Sequence, residues 1–67
     1  AISLNDSFRF VRELFAGDAA RMNEVVRRLG EAPSLDKAMA IFVSEVQPDE
    51  ENEAAVDFME LLKKYFS

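Results

Sequence analysis

Thirteen carboxylates, three lysines, a single tyrosine and the serine hydroxyls must carry whatever acid–base or nucleophilic chemistry this 67-residue chain performs, because it contains no histidine and no cysteine. Without imidazole or thiol there is no Ser-His-Asp or Cys-His nucleophile and no imidazole-bearing zinc site. A carboxylate pair acting alone needs a desolvated cleft that shifts its pKa values. Most acids here fall opposite the apolar positions, in water. The run Asp49-Glu50-Glu51-Asn52-Glu53 has the composition of a calcium loop. It lacks the glycine turn and the alternating oxygen ligands that such a loop requires. Acids gathered at the positive end of a helix explain the run instead. Tyr65 is expected to pack on an apolar arc with its hydroxyl at the rim. The expectation is no enzyme, no metal and no cofactor.

The other chemistry open to the chain is phosphate recognition by arginine. Residues 1–30 hold five Arg and four acids, a net of +1, and residues 31–67 hold three Lys and nine acids, a net of −6, which together give −5. Arg21, Arg28 and nearby Arg27 on one helix, with Arg9 and Arg12 before them, invite a nucleic-acid reading. An isoelectric point near 4.5 opposes it, since counterion release needs net positive charge at the contact. Arg12, Arg21 and Arg28 are therefore candidate polar contacts, expected in intramolecular salt bridges or against an acidic protein partner.

Four helical segments must position these groups, at about 4–16, 19–29, 35–46 and 49–66. Ser3 suits the first N-cap and Gly17 its exit, with Leu4, Phe8, Val11 and Phe15 as the apolar stripe. Asp18 caps the second helix, which carries Met22, Val25, Val26 and Leu29 at helical spacing and is expected to leave through a left-handed Gly30. Ser34 caps the third, with Leu35, Ala38, Met39, Phe42 and Val46 on one side. The fourth is expected to start at Pro48, whose missing N–H is harmless in a first turn. Its apolar arc, from Ala54 and Ala55 through Phe58, Met59, Leu61 and Leu62 to Tyr65 and Phe66, is about 160° wide at 100° per residue. No segment alternates with the period of a strand, and no repeat is present. The fold class is all-α, a compact bundle of four short helices in one domain, 1–67.

A chain this short buries only about 60% of the surface its unfolded form exposes, so it depends on packing. Yet 49% of its residues are hydrophobic, more than the four stripes use. Phe10 points about 160° away from Phe8 on a helical wheel, near only Leu14. Ile41 and Val43 flank the third stripe, and Val56 lies beyond the fourth arc. These five, Phe10, Leu14, Ile41, Val43 and Val56, are the candidate interface residues of an apolar docking patch. Met22, Met39 and Met59 read as core gap-fillers.

The N-terminal run Ile2-Ser3-Leu4-Asn5-Asp6-Ser7-Phe8-Arg9-Phe10-Val11-Arg12-Glu13-Leu14-Phe15 resembles an uncharacterised helical domain of bacterial proteins, with a pattern like I-x-L-N-D-x-F-x-F-x-R-E-L-F. Ser34, Leu35 and Ala38 at the third helix start, and the aromatic ending near Phe66, fit the same likeness. The resemblance implies a helical domain and attaches no activity, ligand or partner.

The sequence thus reads as a non-catalytic protein–protein interaction or self-association module. Its partner is an unknown protein or its own copy. Rival readings are a structural cap on the rest of its own chain and nucleic-acid binding through the Arg-bearing half. No run is long and apolar enough to span a membrane. The expected setting is cytoplasmic, and Ala1 in place of Met suggests a domain cut from, or terminal to, a longer chain.

Overall fold

Each helix begins where a side-chain oxygen takes up backbone N–H groups that the first turn leaves free. The computed structural model describes residues 2–67, so Ala1 and the inference drawn from it lie outside the described residues. Among the described residues there are four helices and no strand: α1 (Leu4–Leu14), α2 (Ala19–Gly30), α3 (Leu35–Val46) and α4 (Glu53–Tyr65). The Asp6 N–H donates to Ser3 Oγ at 3.1 Å, the Arg21 N–H to Asp18 Oδ1 at 3.0 Å, and the Lys37 N–H to Ser34 Oγ at 3.2 Å. These are the three caps the sequence indicates.

The fourth start is different from the expected one. Asn52, not Pro48, opens α4, its Oδ1 accepting from the N–H groups of Ala54 at 2.9 Å and Ala55 at 3.2 Å. Asp49 instead closes a turn of its own, with Oδ1 accepting from the Glu51 N–H at 3.1 Å and its carbonyl from the Asn52 N–H at 3.0 Å. Only Glu53 of the acidic run therefore lies in the first helical turn. Gln47, at φ 50°, ends α3 in the left-handed conformation, and Pro48 follows without an N–H to carry the helix on.

Of the two glycines expected as helix exits, only Gly17 is one. Gly17 has φ 84° and donates to the Val11 carbonyl at 2.9 Å, completing the exit from α1. Gly30 is the last residue of α2 rather than its left-handed exit, and the chain leaves through Glu31 in the right-handed region. A Cβ there would lie 3.6 Å from the Tyr65 hydroxyl, an ordinary contact, so the packing does not require a glycine.

α1 packs on α4, α4 on α3, and α3 on α2, while no contact of similar extent joins α1 to α2. Phe58 of α4 is the hub of the core. Phe42 stacks on it at 4.8 Å between ring centres, and Phe10 meets it edge-on at 5.2 Å. Such pairs add about 0.5–1.5 kcal/mol to the burial of the rings themselves. Met22, Val25 and Leu29 enter from α2, and the small Ala38, Ala54 and Ala55 sit fully inside among the rings. Met39 and Met59 fill in from the margin.

α1 overturns the face assigned to it. Phe10 is 0% exposed and Leu14 is buried, whereas Leu4 and Phe8 are 71% and 63% exposed. The cause is the breadth of the helix's apolar arc. From Phe10 through Leu14, Val11, Leu4 and Phe15 to Phe8 it spans about 160°, and one main neighbour covers only part of that. Packing of Phe10 on Phe58 sets the rotation, and an ion pair from Arg9 Nη1 to Asp57 Oδ2 of α4, at 2.6 Å, accompanies it. With Phe10 held against α4, Leu14 turns inward beside it and the Leu4–Phe8 edge turns outward.

Candidate functional site

Between α2, α4 and the segment ahead of α1, the molecule has a groove of about 400 Å³. Ile2 ahead of α1 forms one side and Val26 and Leu29 of α2 the other, with Phe58, Leu61 and Leu62 of α4 between them. Tyr65 covers one end, 69% exposed, its hydroxyl at the rim over Gly30. Lys64 is the one charged residue in the lining. The Leu4–Phe8 ridge stands on the flank of α1 turned about 100–140° from Arg9, hence away from the Asp57 side of α4. Ile2, which lines the groove, precedes Leu4 by two residues, so the ridge begins at the groove's edge.

A second hollow is polar and open to solvent. Arg9, Glu13, Asn52 and Glu53 surround a hollow of about 330 Å³ beside the Arg9–Asp57 pair. The hydrogen bond to Asp57 raises the Arg9 pKa above its ordinary value, against a smaller opposing effect of desolvation.

The sequence-predicted interface residues are not brought together. Phe10 and Leu14 are core residues, with no face left for a partner. Ile41 is half-buried against the core. Val43 of α3 and Val56 of α4 are exposed, but neither lines the groove. The residues that do form a surface, Leu4, Phe8, Val26 and Tyr65, all fall on core stripes when periodicity alone is read. A signal for them is present in α1, whose apolar arc is wider than a helix with one main neighbour can bury.

The candidate polar contacts are internal to the fold. Arg21 Nη2 donates to the Glu45 carbonyl at 2.7 Å and lies 3.7 Å from Glu45 Oε2, and Arg28 pairs with the same carboxylate, so the two join α2 to the end of α3. Arg12 pairs with its exposed neighbour Glu13 at 3.3 Å. Arg27 reaches Glu24 and Glu31, each at 2.6 Å. The hydrogen bond and charge of Arg27 hold the Glu24 carboxyl below the usual carboxylate range. Every one of the five arginines thus has an acidic partner in its own chain.

Among the described residues no polar or charged side chain is buried, and no group of three His, Cys, Asp or Glu is placed to hold a metal ion. No described helix is long and apolar enough to cross a membrane.

A family described as a domain of unknown function, DUF8457, matches residues 1–67. The chain belongs to the DUF8457 family. The resemblance seen at the N-terminus is met at that level, a domain family without an assigned function. No curated protein and no solved structure matches the chain. For this DUF8457 domain the functional argument therefore rests on the groove, the ridge and the paired arginines.

Proposed function

We propose that this DUF8457 domain is a non-catalytic protein–protein interaction module that docks through the groove and the ridge at its edge. The observation that carries the reading is the adjacency of an exposed Leu4–Phe8 ridge to an apolar groove with one charge in its lining. Two exposed apolar residues four apart on a helix are the usual anchor of a helix-to-groove contact. Carboxylate catalysis lacks support, since the acids are solvated and the main concavity is apolar. Nucleic-acid binding would have to take arginines from Glu24, Glu31, Glu45 and Asp57 before they could meet phosphate. A cap on the domain's own longer chain would use the same surface and differs only in where the partner segment is encoded.

Photocrosslinking in the cell that makes the protein tests the reading, with a benzophenone amino acid at position 8 or, as control, at position 43. The expected result is a discrete adduct from position 8 that Val26→Lys abolishes, and none from position 43. An adduct within the same polypeptide identifies the cap. No adduct from position 8, or equal adducts from both, overturns the docking surface.

A further inference from the structure

Resting on the reading that this face docks protein, we propose that its occupant is a second copy of the chain, related by a two-fold axis, each Leu4–Phe8 ridge seated in the other copy's groove. Shape is the first reason. Leu4 and Phe8 stand about 6 Å apart on one helix edge, and the groove runs beside α4 from Phe58 to Tyr65, about 10 Å along its axis. One surface carries both the knob and the hole, which a two-fold interface requires of itself. A partner offering only a ridge would fill the groove and leave Leu4 and Phe8 in water.

Area is the second. Ile2, Leu4, Phe8, Val26 and Tyr65 are 37%, 71%, 63%, 36% and 69% exposed. At roughly 200 Å² per large side chain they present on the order of 550 Å² of surface. A standard interface buries about 800 Å² per partner, and homodimer interfaces are about 65% apolar. The patch therefore supplies the apolar share of a small dimer interface, with a polar rim to complete it.

Charge is the third. The chain carries −5, so copies repel unless their acids stay apart. Asp49, Glu50, Glu51 and Glu53 lie at the start of α4, and Tyr65 is its last residue. About 18 Å of helix separates that cluster from the end of the groove. None of these acids lines the groove, so contact through this face does not press the two clusters into it.

Sedimentation equilibrium of the purified chain, from micromolar to near-millimolar concentration, tests this with Phe8→Glu and Val26→Lys, both at exposed helix positions. The wild type is expected to dimerise with a dissociation constant below about 1 mM, and each variant alone to weaken the dimer at least tenfold with unchanged helical circular dichroism. An equimolar mixture is expected to associate more tightly than either variant alone. In the mixed dimer the ridge made acidic by Phe8→Glu meets the groove made basic by Val26→Lys, while the second contact is native. A wild-type monomer throughout the range, a dimer indifferent to Phe8→Glu, or a mixture without rescue overturns the proposal. A monomer that still gives the position-8 adduct to another chain in cells fails this inference and leaves the docking reading standing.

Discussion

α1 and α2 are close in length, eleven and twelve residues, and each carries apolar residues at helical spacing. α2 buries Met22, Val25 and Leu29 along one line and meets water with Asn23, Glu24 and Arg27. α1 buries Phe10 and Leu14 and meets water with Leu4 and Phe8. The difference lies in what holds each helix. Arg21 and Arg28 tie α2 to Glu45 along its length, whereas α1 is held by α4 through Phe10 on Phe58 and a single ion pair, Arg9–Asp57. An apolar stripe shows which residues can be buried; the number and placement of neighbours decide which of them are.

The largest effect that would break this comparison is on α1 itself. Phe10→Ala should cost about 3–5 kcal/mol, enough to unfold much of a domain this small, while Phe8→Ala should stay within about 0.5 kcal/mol in dilute solution. Urea unfolding of both variants checks it, and a reversed order would return α1 to the Leu4–Phe8 orientation.

The position of α4 sets where Asp57 can hold α1, and it depends on the Asn52 cap. Asn52→Ala should destabilise by about 1 kcal/mol. Were the helix to start at Pro48, Asn52 would be interior and the same change would stabilise, so thermal unfolding decides by sign.

At the end of α2, Gly30→Ala should raise stability by about 0.5–1 kcal/mol, because the backbone is helical and a Cβ would meet Tyr65 at ordinary contact distance. A loss would indicate a left-handed exit.

The smallest effect concerns the outer face of α2. Arg27 lowers the Glu24 pKa, so what this pair adds to stability is present above the unfolded carboxylate pKa and is lost as pH falls through the lowered folded value. Both groups are exposed, and the readout is the titration itself. The Glu24 midpoint followed by NMR should move up toward the ordinary value in Arg27→Gln, and an unmoved midpoint would discount the pair.

The four helices, three of their caps and, Val26 apart, the stripe of α2 are legible in the sequence because each rests on local rules: Ser3, Asp18 and Ser34 precede helical periodicity and accept from amides of their own first turn. The start of α4 is misplaced by the same rules because a proline and three acids resemble a first turn, while the Asx turn made by Asp49 draws on the same residue types. The outward edge of α1 is misplaced for a different reason. Periodicity gives the arc but not the neighbours, so Phe10 and Leu14 look spare and Leu4 and Phe8 look central. Which edge is buried depends on how α1 packs against α4, whose Phe58 lies forty-eight residues from Phe10, and no local pattern encodes that contact.

The chain has no cysteine, so a single introduced thiol reports one position cleanly. Thiol labelling of Phe8→Cys and Leu14→Cys under native, dilute conditions asks directly which edge of α1 faces water. The account predicts labelling at position 8 close to the unfolded rate, at least a hundredfold faster than at position 14, and slowing at position 8 as protein concentration rises. Protection of position 8 at high dilution, with position 14 reacting freely, would contradict it.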